Sequence, residues 1–276
     1  MTHMIYVVPS LKAKEKLQCE GKAWAESQGF AYVPRGKRTI QDLMDEYGED
    51  FLVYSSWGPQ IDLPEGSHFF SLNMAELRIQ NLRKGQRDHL LEALMGVKEY
   101  DLRPAAAQPP ISVLDCTCGF GADAAVASFG LPAGSRVDAL EVSPLLEAVT
   151  AWGFSHFVHK KDDVTAALRR ISLRCGDYRD YLLSDEGPVY DVLYFDPMFQ
   201  RPVEASCQFQ PVRAIMEHGG LTRDLIERAL QKARRRVVIK ERDFRQLCRD
   251  FPDVTLYGGK YSRIGYAVLE CDSWKK

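Results

Sequence analysis

Ile111-Ser112-Val113-Leu114-Asp115-Cys116-Thr117-Cys118-Gly119-Phe120-Gly121-Ala122-Asp123 is the stretch on which the reading of this chain turns. Ile111, Val113 and Leu114 predict a short buried strand, Gly119 and Gly121 a glycine turn, and the residues from Gly121 onward a helix. Glycine suits such a turn because it takes positive φ without strain. Its missing Cβ also lets a ligand approach the backbone closely. The helix N-terminus behind the turn offers unpaired N–H groups and partial positive charge to an anionic or polar ligand group. Asp115 stands at the carboxyl end of the strand, where ligands of open α/β sheets bind.

The next predicted strand, Arg136-Val137-Asp138-Ala139-Leu140-Glu141, ends in a carboxylate about 20 positions beyond the glycines. A carboxylate there can accept both hydroxyls of a ribose, so a nucleoside-containing cofactor is expected. With Ala124 the turn also fits the G-x-G-x-x-G/A dinucleotide pattern, which keeps a nicotinamide cofactor open at this point.

Outward from this centre, strand and helix alternate. Strands are expected at 111–115, 136–141, 171–175, 189–195 and 235–240, with helices at 121–129, 144–156, 162–169, 178–183, 221–234 and 243–250. That pattern means a parallel sheet covered by helices on both faces. It breaks at the end of the chain. Val254–Tyr257 and Arg263–Glu270 flank a tight Gly258-Gly259-Lys260-Tyr261 turn with no room for a crossover helix, so the last strand should run antiparallel. Upstream, residues 1–70 predict a small α/β accessory domain. Its strands are expected near 5–8, 30–33, 51–55, 60–63 and 68–71, its helices at 11–28 and 39–47, and a turn at Trp57-Gly58-Pro59. Helices at 73–82 and 88–95 then open the main domain, 71–276.

Bulk composition narrows the partners. The 276 residues are 45% hydrophobic and 27% charged with a net charge of −2, so no global field draws the chain to nucleic acid or membrane, and any basic surface is local. Seven irregularly spaced cysteines form neither a disulfide framework nor a zinc pattern. No signal peptide or membrane-length apolar run is visible, which makes a cytoplasmic protein without membrane or metal partners the expectation.

A second motif carries the chemistry. Val189-Tyr190-Asp191-Val192-Leu193-Tyr194-Phe195 runs straight into Asp196-Pro197-Met198-Phe199. Proline fixes φ and removes a backbone donor, leaving the Asp196 carboxylate and the Pro197 carbonyl as acceptors at the sheet edge. Such a corner suits a donor-rich substrate such as an exocyclic NH₂, and an aromatic residue three positions on can stack on a planar base.

Asp196-Pro197-Met198-Phe199 is similar to the (Asp/Asn)-Pro-Pro-(Tyr/Phe) motif of amino-group methyltransferases. In its Asp-Pro-Met-Phe form it resembles the bacterial small-subunit rRNA guanine-N2 methyltransferases. Asp115 to Asp123, Leu140-Glu141-Val142-Ser143-Pro144 and Arg236-Val237-Val238-Ile239-Lys240 add to the resemblance, which spans about residues 75–270. Met198 stands where the general motif has a second proline, and Ala122 where a basic residue is usual. The resemblance implies a seven-stranded Rossmann-like sheet of the class I S-adenosylmethionine methyltransferases, with the last strand inserted antiparallel. It implies Asp115, Gly119, Gly121, Ala122 and Asp123 at the methionine end of S-adenosyl-L-methionine, Glu141 at the ribose, and Val142, Gly176 and Asp177 near the adenine. Asp196, Pro197 and Phe199 would do the catalytic work, and Arg83, Lys84, Met198, Arg201 and Lys240 would meet the substrate. The expected reaction is methyl transfer to an exocyclic amine, guanine N2 of rRNA first. Another nucleobase, a small molecule or a protein amide is the alternative acceptor. A nicotinamide-dependent oxidoreductase and a non-catalytic RNA-binding module are the alternatives outside the class.

Structural readings stand beside the functional ones. Asp196 could cap the following loop, and Asp177 could be the N-cap of helix 178–183. Lys240 could contact phosphate or be a solvated charge. Arg234-Arg235-Arg236 reads as a charge run at a helix C-terminus. Residues 200–220, with Arg201, Arg213 and His218, read as a long loop, either a lid or a disordered segment.

Overall fold

In the computed structural model, which describes residues 4–48, 50–63, 66–98, 108–197, 220–258 and 264–271, the strands assort into two sheets. The first contains β1 (Tyr6–Pro9), β2 (Ala31–Tyr32), β3 (Phe51–Ser55), β4 (Gly58–Leu63) and β5 (Gly66–Phe69), in the order β2-β1-β3-β4-β5. α1 (Glu15–Gln28) and α2 (Ile40–Tyr47) carry the chain between parallel β1, β2 and β3, while β3, β4 and β5 form an antiparallel meander. Alternation along β1 sends Val8 to a core with Leu43, Phe51 and Val53, and Val7 to the opposite core with Ala25 and Tyr54. Thr39 starts α2 through a capping box with Asp42.

The second sheet follows α3 (Asn73–Arg83) and α4 (His89–Met95). From there the elements run, in chain order, β6 (Ser112–Asp115), α5 (Ala122–Gly130), β7 (Arg136–Glu141), α6 (Pro144–His156), α7 (Asp162–Arg169), β8 (Ile171–Cys175), α8 (Tyr178–Leu183), β9 (Val192–Phe195), α9 (Arg223–Lys232), β10 (Arg236–Glu241), α10 (Arg245–Asp250), β11 (Thr255–Tyr257) and β12 (Gly265–Glu270), and the seven strands form the sheet. The strand order is β11-β12-β10-β9-β6-β7-β8. β12 lies between β10 and β11 and is antiparallel to both, as the missing crossover required. β6 is central and parallel to β7 on one side and β9 on the other. The carboxyl ends of β10, β9, β6 and β7 therefore point the same way and stand in a row. Leu114, Leu193, Phe195 and Val237 are buried on the strands that hold this row in place.

The chain divides into two compact units. One holds the described residues up to Ser71 together with Ser143–Phe157, and the other holds Leu72–Val142 and the described residues from Val158 on. α6 thus packs with the first sheet: the Trp152 ring lies against Gly58, and Phe154 and Phe157 each meet Phe70 edge-on at 5.6 Å.

Several local expectations shift. Gly58 and Pro59 belong to β4, so the hairpin turn is the two residues Ser56-Trp57. α1 begins at Glu15, four residues after the expected Leu11, because Ser10–Ala13 form a turn of their own. β9 starts at Val192; before it, Asp191 accepts from Ser112 N–H at 2.8 Å, and buried Tyr190 donates to Asp138 at 2.5 Å. Arg236 is no helix-end charge. It opens β10, is 6% exposed, and donates to the Leu94 carbonyl while pairing with Glu270.

Candidate active site

β6 ends at Asp115, and the backbone then needs a turn that hands over to α5. Gly119 (φ 54°) and Gly121 (φ 76°) both adopt the left-handed conformation, and Gly121 is the N-cap of α5. Among the described residues, a Cβ built on Gly119 would meet only the Thr117 carbonyl, 4.0 Å away, so the turn leaves open space beside it there. The neighbouring strand fixes the turn from one side. Cys118 N–H donates to the Leu140 carbonyl at 2.9 Å, and Gly119 N–H donates to the Glu141 carboxylate at 2.8 Å. Gly176 N–H donates to the Glu141 carbonyl, which brings the end of β8 into the same row.

The Asp-Pro corner holds the turn from the other side. Asp115 faces Tyr194 across the β6–β9 ladder, Cys116 N–H donates to the Tyr194 carbonyl at 2.8 Å, and Asp196 N–H donates to Thr117 Oγ1 at 2.7 Å. The glycine bend and Asp196 are therefore hydrogen-bonded neighbours at one sheet edge. Pro197 follows, half-buried. Met198, Phe199 and Arg201, with the expected loop 200–220, lie outside the described residues.

Charge in the site is dominated by buried acids. Asp115 is 2% exposed and, among the described residues, accepts one hydrogen bond, from Thr117 N–H at 3.1 Å, with no cation in ion-pair contact. Burial pushes its pKa well above the usual carboxylate range, and the nearby charges of Asp123 and Asp196 add to the push. Asp123, on the first turn of α5, is the hub of the network. It receives Tyr194 Oη at 2.7 Å, Lys240 Nζ at 2.8 Å and the Arg78 guanidinium. Burial opposes its ionisation, but Lys240 and Arg78 outweigh burial and hold it far below the ordinary value. Arg78, on α3, is fixed in turn by a bidentate pair with Asp88 at 2.7 and 2.8 Å.

Lys240 ends this chain of charges. The β9–β10 register sets Ile239 beside Phe195, so the next residue on each strand, Lys240 and Asp196, meet. Lys240 Nζ lies 2.7 Å from Asp196 Oδ2. Asp196, 28% exposed, has its pKa pushed up to about 6 by burial, with Lys240 pulling against that shift.

The other expected residues fall as follows. Asp177 is the N-cap of α8 and is gripped by its own Arg179, the local role that stood beside the adenine contact. Val142 is 36% exposed just past β7. Arg83 pairs with Asp163 and lies over the Phe129 ring, whereas Lys84 is exposed at the end of α3. Ala122 opens α5. Arg78, Asp88, Tyr194 and Tyr266 escaped the sequence reading. Asp88 alone carried a signal, as an acid heading a helix, where it caps α4. Among the described residues no group of His, Cys, Asp and Glu is arranged to hold a metal ion, and no helix is long and apolar enough to cross a membrane.

The SAM-dependent methyltransferase family model, SAM_MT, matches residues 83–264. The chain belongs to the SAM-dependent methyltransferase family. Its cofactor is S-adenosyl-L-methionine, which removes the nicotinamide alternative. It is 28% identical over 236 residues to the uncharacterized protein YpiP of Bacillus subtilis, covering 85% of this chain and 88% of that one. It is 31% identical over 168 residues to ribosomal RNA small subunit methyltransferase J of Thioalkalivibrio sulfidiphilus, covering 59% of this chain and 61% of that one. The protein of that name from Dechloromonas aromatica is 28% identical, with 72% and 76% covered. In fold it matches the crystal structure of a SAM-dependent methyltransferase from Neisseria gonorrhoeae with a TM-score of 0.62 at 18% identity, over 98% and 97% of the two chains.

Proposed function

We propose that this methyltransferase acts on an exocyclic amino group, guanine N2 of rRNA being the acceptor that fits best. The observation that carries the reading is the hydrogen bond from Asp196 N–H to Thr117 Oγ1, because it joins an amine-accepting corner to the cofactor turn. The names of the relatives from Thioalkalivibrio and Dechloromonas support RNA as the substrate class.

The residues at the turn suit the cofactor. Asp115 is a buried carboxylate lacking a cationic partner among the described residues, which the ammonium of a methionine moiety would supply. Glu141, at the end of β7, is an acceptor for ribose hydroxyls, and the open side of Gly119 leaves room for the ligand chain. When bound, S-adenosyl-L-methionine offers an electrophilic methyl group on a sulfonium.

The protein's task is then orientation. The lone pair of a guanine amine is delocalised into the ring, so the nitrogen is a poor nucleophile until its geometry changes. Hydrogen bonds from its N–H groups to the Asp196 carboxylate and the Pro197 carbonyl favour a pyramidal nitrogen and aim the pair, with a productive approach of about 3–3.5 Å. The carboxylate also stabilises the positive charge that grows on that nitrogen. Phe199 and Met198 are assigned to the base from sequence, and Arg201 to its phosphates. An amine of this kind is reached in an unpaired or flipped base.

Mass spectrometry of rRNA nucleosides from a strain lacking the protein tests the reading, with one methylated guanosine expected to disappear and to return with the wild-type gene. Asp196→Ala should fail to restore it while still binding the cofactor. An unchanged nucleoside profile in the deletion strain would remove rRNA guanine as the acceptor.

A further inference from the structure

We propose that Lys240 is a positioning residue: anchored on Asp123, and through Asp123 on Arg78, its ammonium fixes the direction and the negative charge of the Asp196 carboxylate. The inference rests on the amino-group reading of the same site and departs from the expectation that Lys240 meets substrate phosphate.

Three observations carry it. The Lys240 side chain is 14% exposed, and its ammonium already sits 2.8 Å from Asp123 and 2.7 Å from Asp196, so two carboxylates occupy it. The five groups Asp88, Arg78, Asp123, Lys240 and Asp196 alternate in sign along an unbroken line of ion pairs running from α4 and α3 through α5 to the ends of β10 and β9. Only the last of them borders the acceptor corner. A chain of alternating charges with one end fixed by a bidentate Arg–Asp pair is stiff, and each member holds the next in place.

An acceptor for N–H groups must be ionised and must point one way. Other groups around Asp196 work against ionisation: Asp123 and Glu241 add negative charge, and burial adds its own penalty. Asp115, Tyr194 and Tyr266 lie in the same enclosure, where all three are buried and Tyr194 and Tyr266 are kept protonated by burial and by the acids. Lys240 and Arg78 are the cations facing this cluster among the described residues. Burial alone would favour a neutral lysine, but Asp123 and Asp196 keep Lys240 charged well beyond its ordinary range. Set between two carboxylates, the Lys240 ammonium serves as a fixed counter-charge.

The test is a carboxylate titration of full-length protein labelled with ¹³C in aspartate, the Asp196 signal being identified by its loss in Asp196→Asn. In Lys240→Gln the Asp196 midpoint should rise by about 1–3 pH units, the usual effect of removing a close opposite charge. The acid limb of methyl transfer to rRNA should move upward with it, with the loss in kcat and not in KM. In an Asp196→Asn background the same lysine change should cost little further. Should Lys240→Gln fail to fold, Lys240→Arg carries the question. It should leave the midpoint near the wild-type value and lower kcat at unchanged KM, because charge is kept and direction is not. An unmoved Asp196 midpoint in Lys240→Gln, or a rise in KM for RNA alone in either variant, would overturn the proposal in favour of a phosphate contact. Because the titration needs no acceptor, it reports on Lys240 even if rRNA guanine is the wrong substrate, in which case the wild-type protein itself would transfer nothing to that RNA.

Discussion

Asp115 is the residue at which stability and function pull apart. Its carboxyl is buried, and both the burial and the neighbouring acids push its pKa up. The folded protein therefore binds this proton more tightly than the unfolded chain does. The resulting penalty is absent below the ordinary carboxylate pKa and grows as pH rises toward the folded value. Asp115→Asn should for that reason raise the melting temperature of the cofactor-free protein at pH 7–8, by about 2–4 °C for each kcal/mol recovered at this size, with the gain vanishing near pH 4. The same variant should lose the thermal shift that S-adenosylhomocysteine gives the wild type. A cofactor shift of full size in Asp115→Asn would separate this acid from the methionine end. Asp123 has the opposite sign: its depressed pKa contributes stability that is complete at neutral pH and is lost only as pH falls below the ordinary carboxylate range.

The glycine turn and the Asp-Pro corner act as elements whose value comes from being neighbours. Replacing Gly119 by Ala forces a side chain into left-handed φ, which costs roughly 1–2 kcal/mol. Among the described residues the new Cβ meets nothing closer than the Thr117 carbonyl at 4.0 Å, so the fold should tolerate it. Cofactor binding should suffer more, weakening by about a hundredfold or beyond, which is about 2.8 kcal/mol or more. Calorimetry with S-adenosylhomocysteine beside a denaturation curve separates the two losses, and equal losses would mean that the open side of Gly119 faces no ligand. This juxtaposition was legible in the sequence as two strand ends with special residues, and the antiparallel finish was legible from the lack of room for a crossover helix. What tied them together was not. Arg78 is one of two arginines on α3, and its partner Asp123 is 45 residues away. No periodicity marks such a pair, because burial in a three-dimensional site creates it. The grouping of α6 with the first sheet was hidden for a similar reason. A helix that follows β7 in sequence is expected to cover β7's own sheet, and only the fit of Trp152 against Gly58 and of Phe154 against Phe70 assigns it elsewhere.

At the scale of the whole molecule, a net charge of −2 leaves the RNA binding proposed above to local cations, and the structure ranks those that were expected to serve. Lys240 is committed to two acids, and Arg83 pairs with Asp163 and lies over Phe129. Lys84, one residue on, is exposed at the end of α3. Each phosphate contact on a single strand contributes about 0.7 to the slope of log affinity against log salt. Lys84→Ala should therefore flatten that slope by about 0.7 for an rRNA fragment. Arg83→Ala should flatten it by less, because the Arg83 guanidinium is already engaged by Asp163 and contributes less to a phosphate contact. Lys240→Gln should leave it unchanged while transfer falls. Filter binding at several salt concentrations measures all three. A slope that responded to Lys240 and ignored Lys84 would put the phosphate backbone across the end of β10 instead of beside the end of α3.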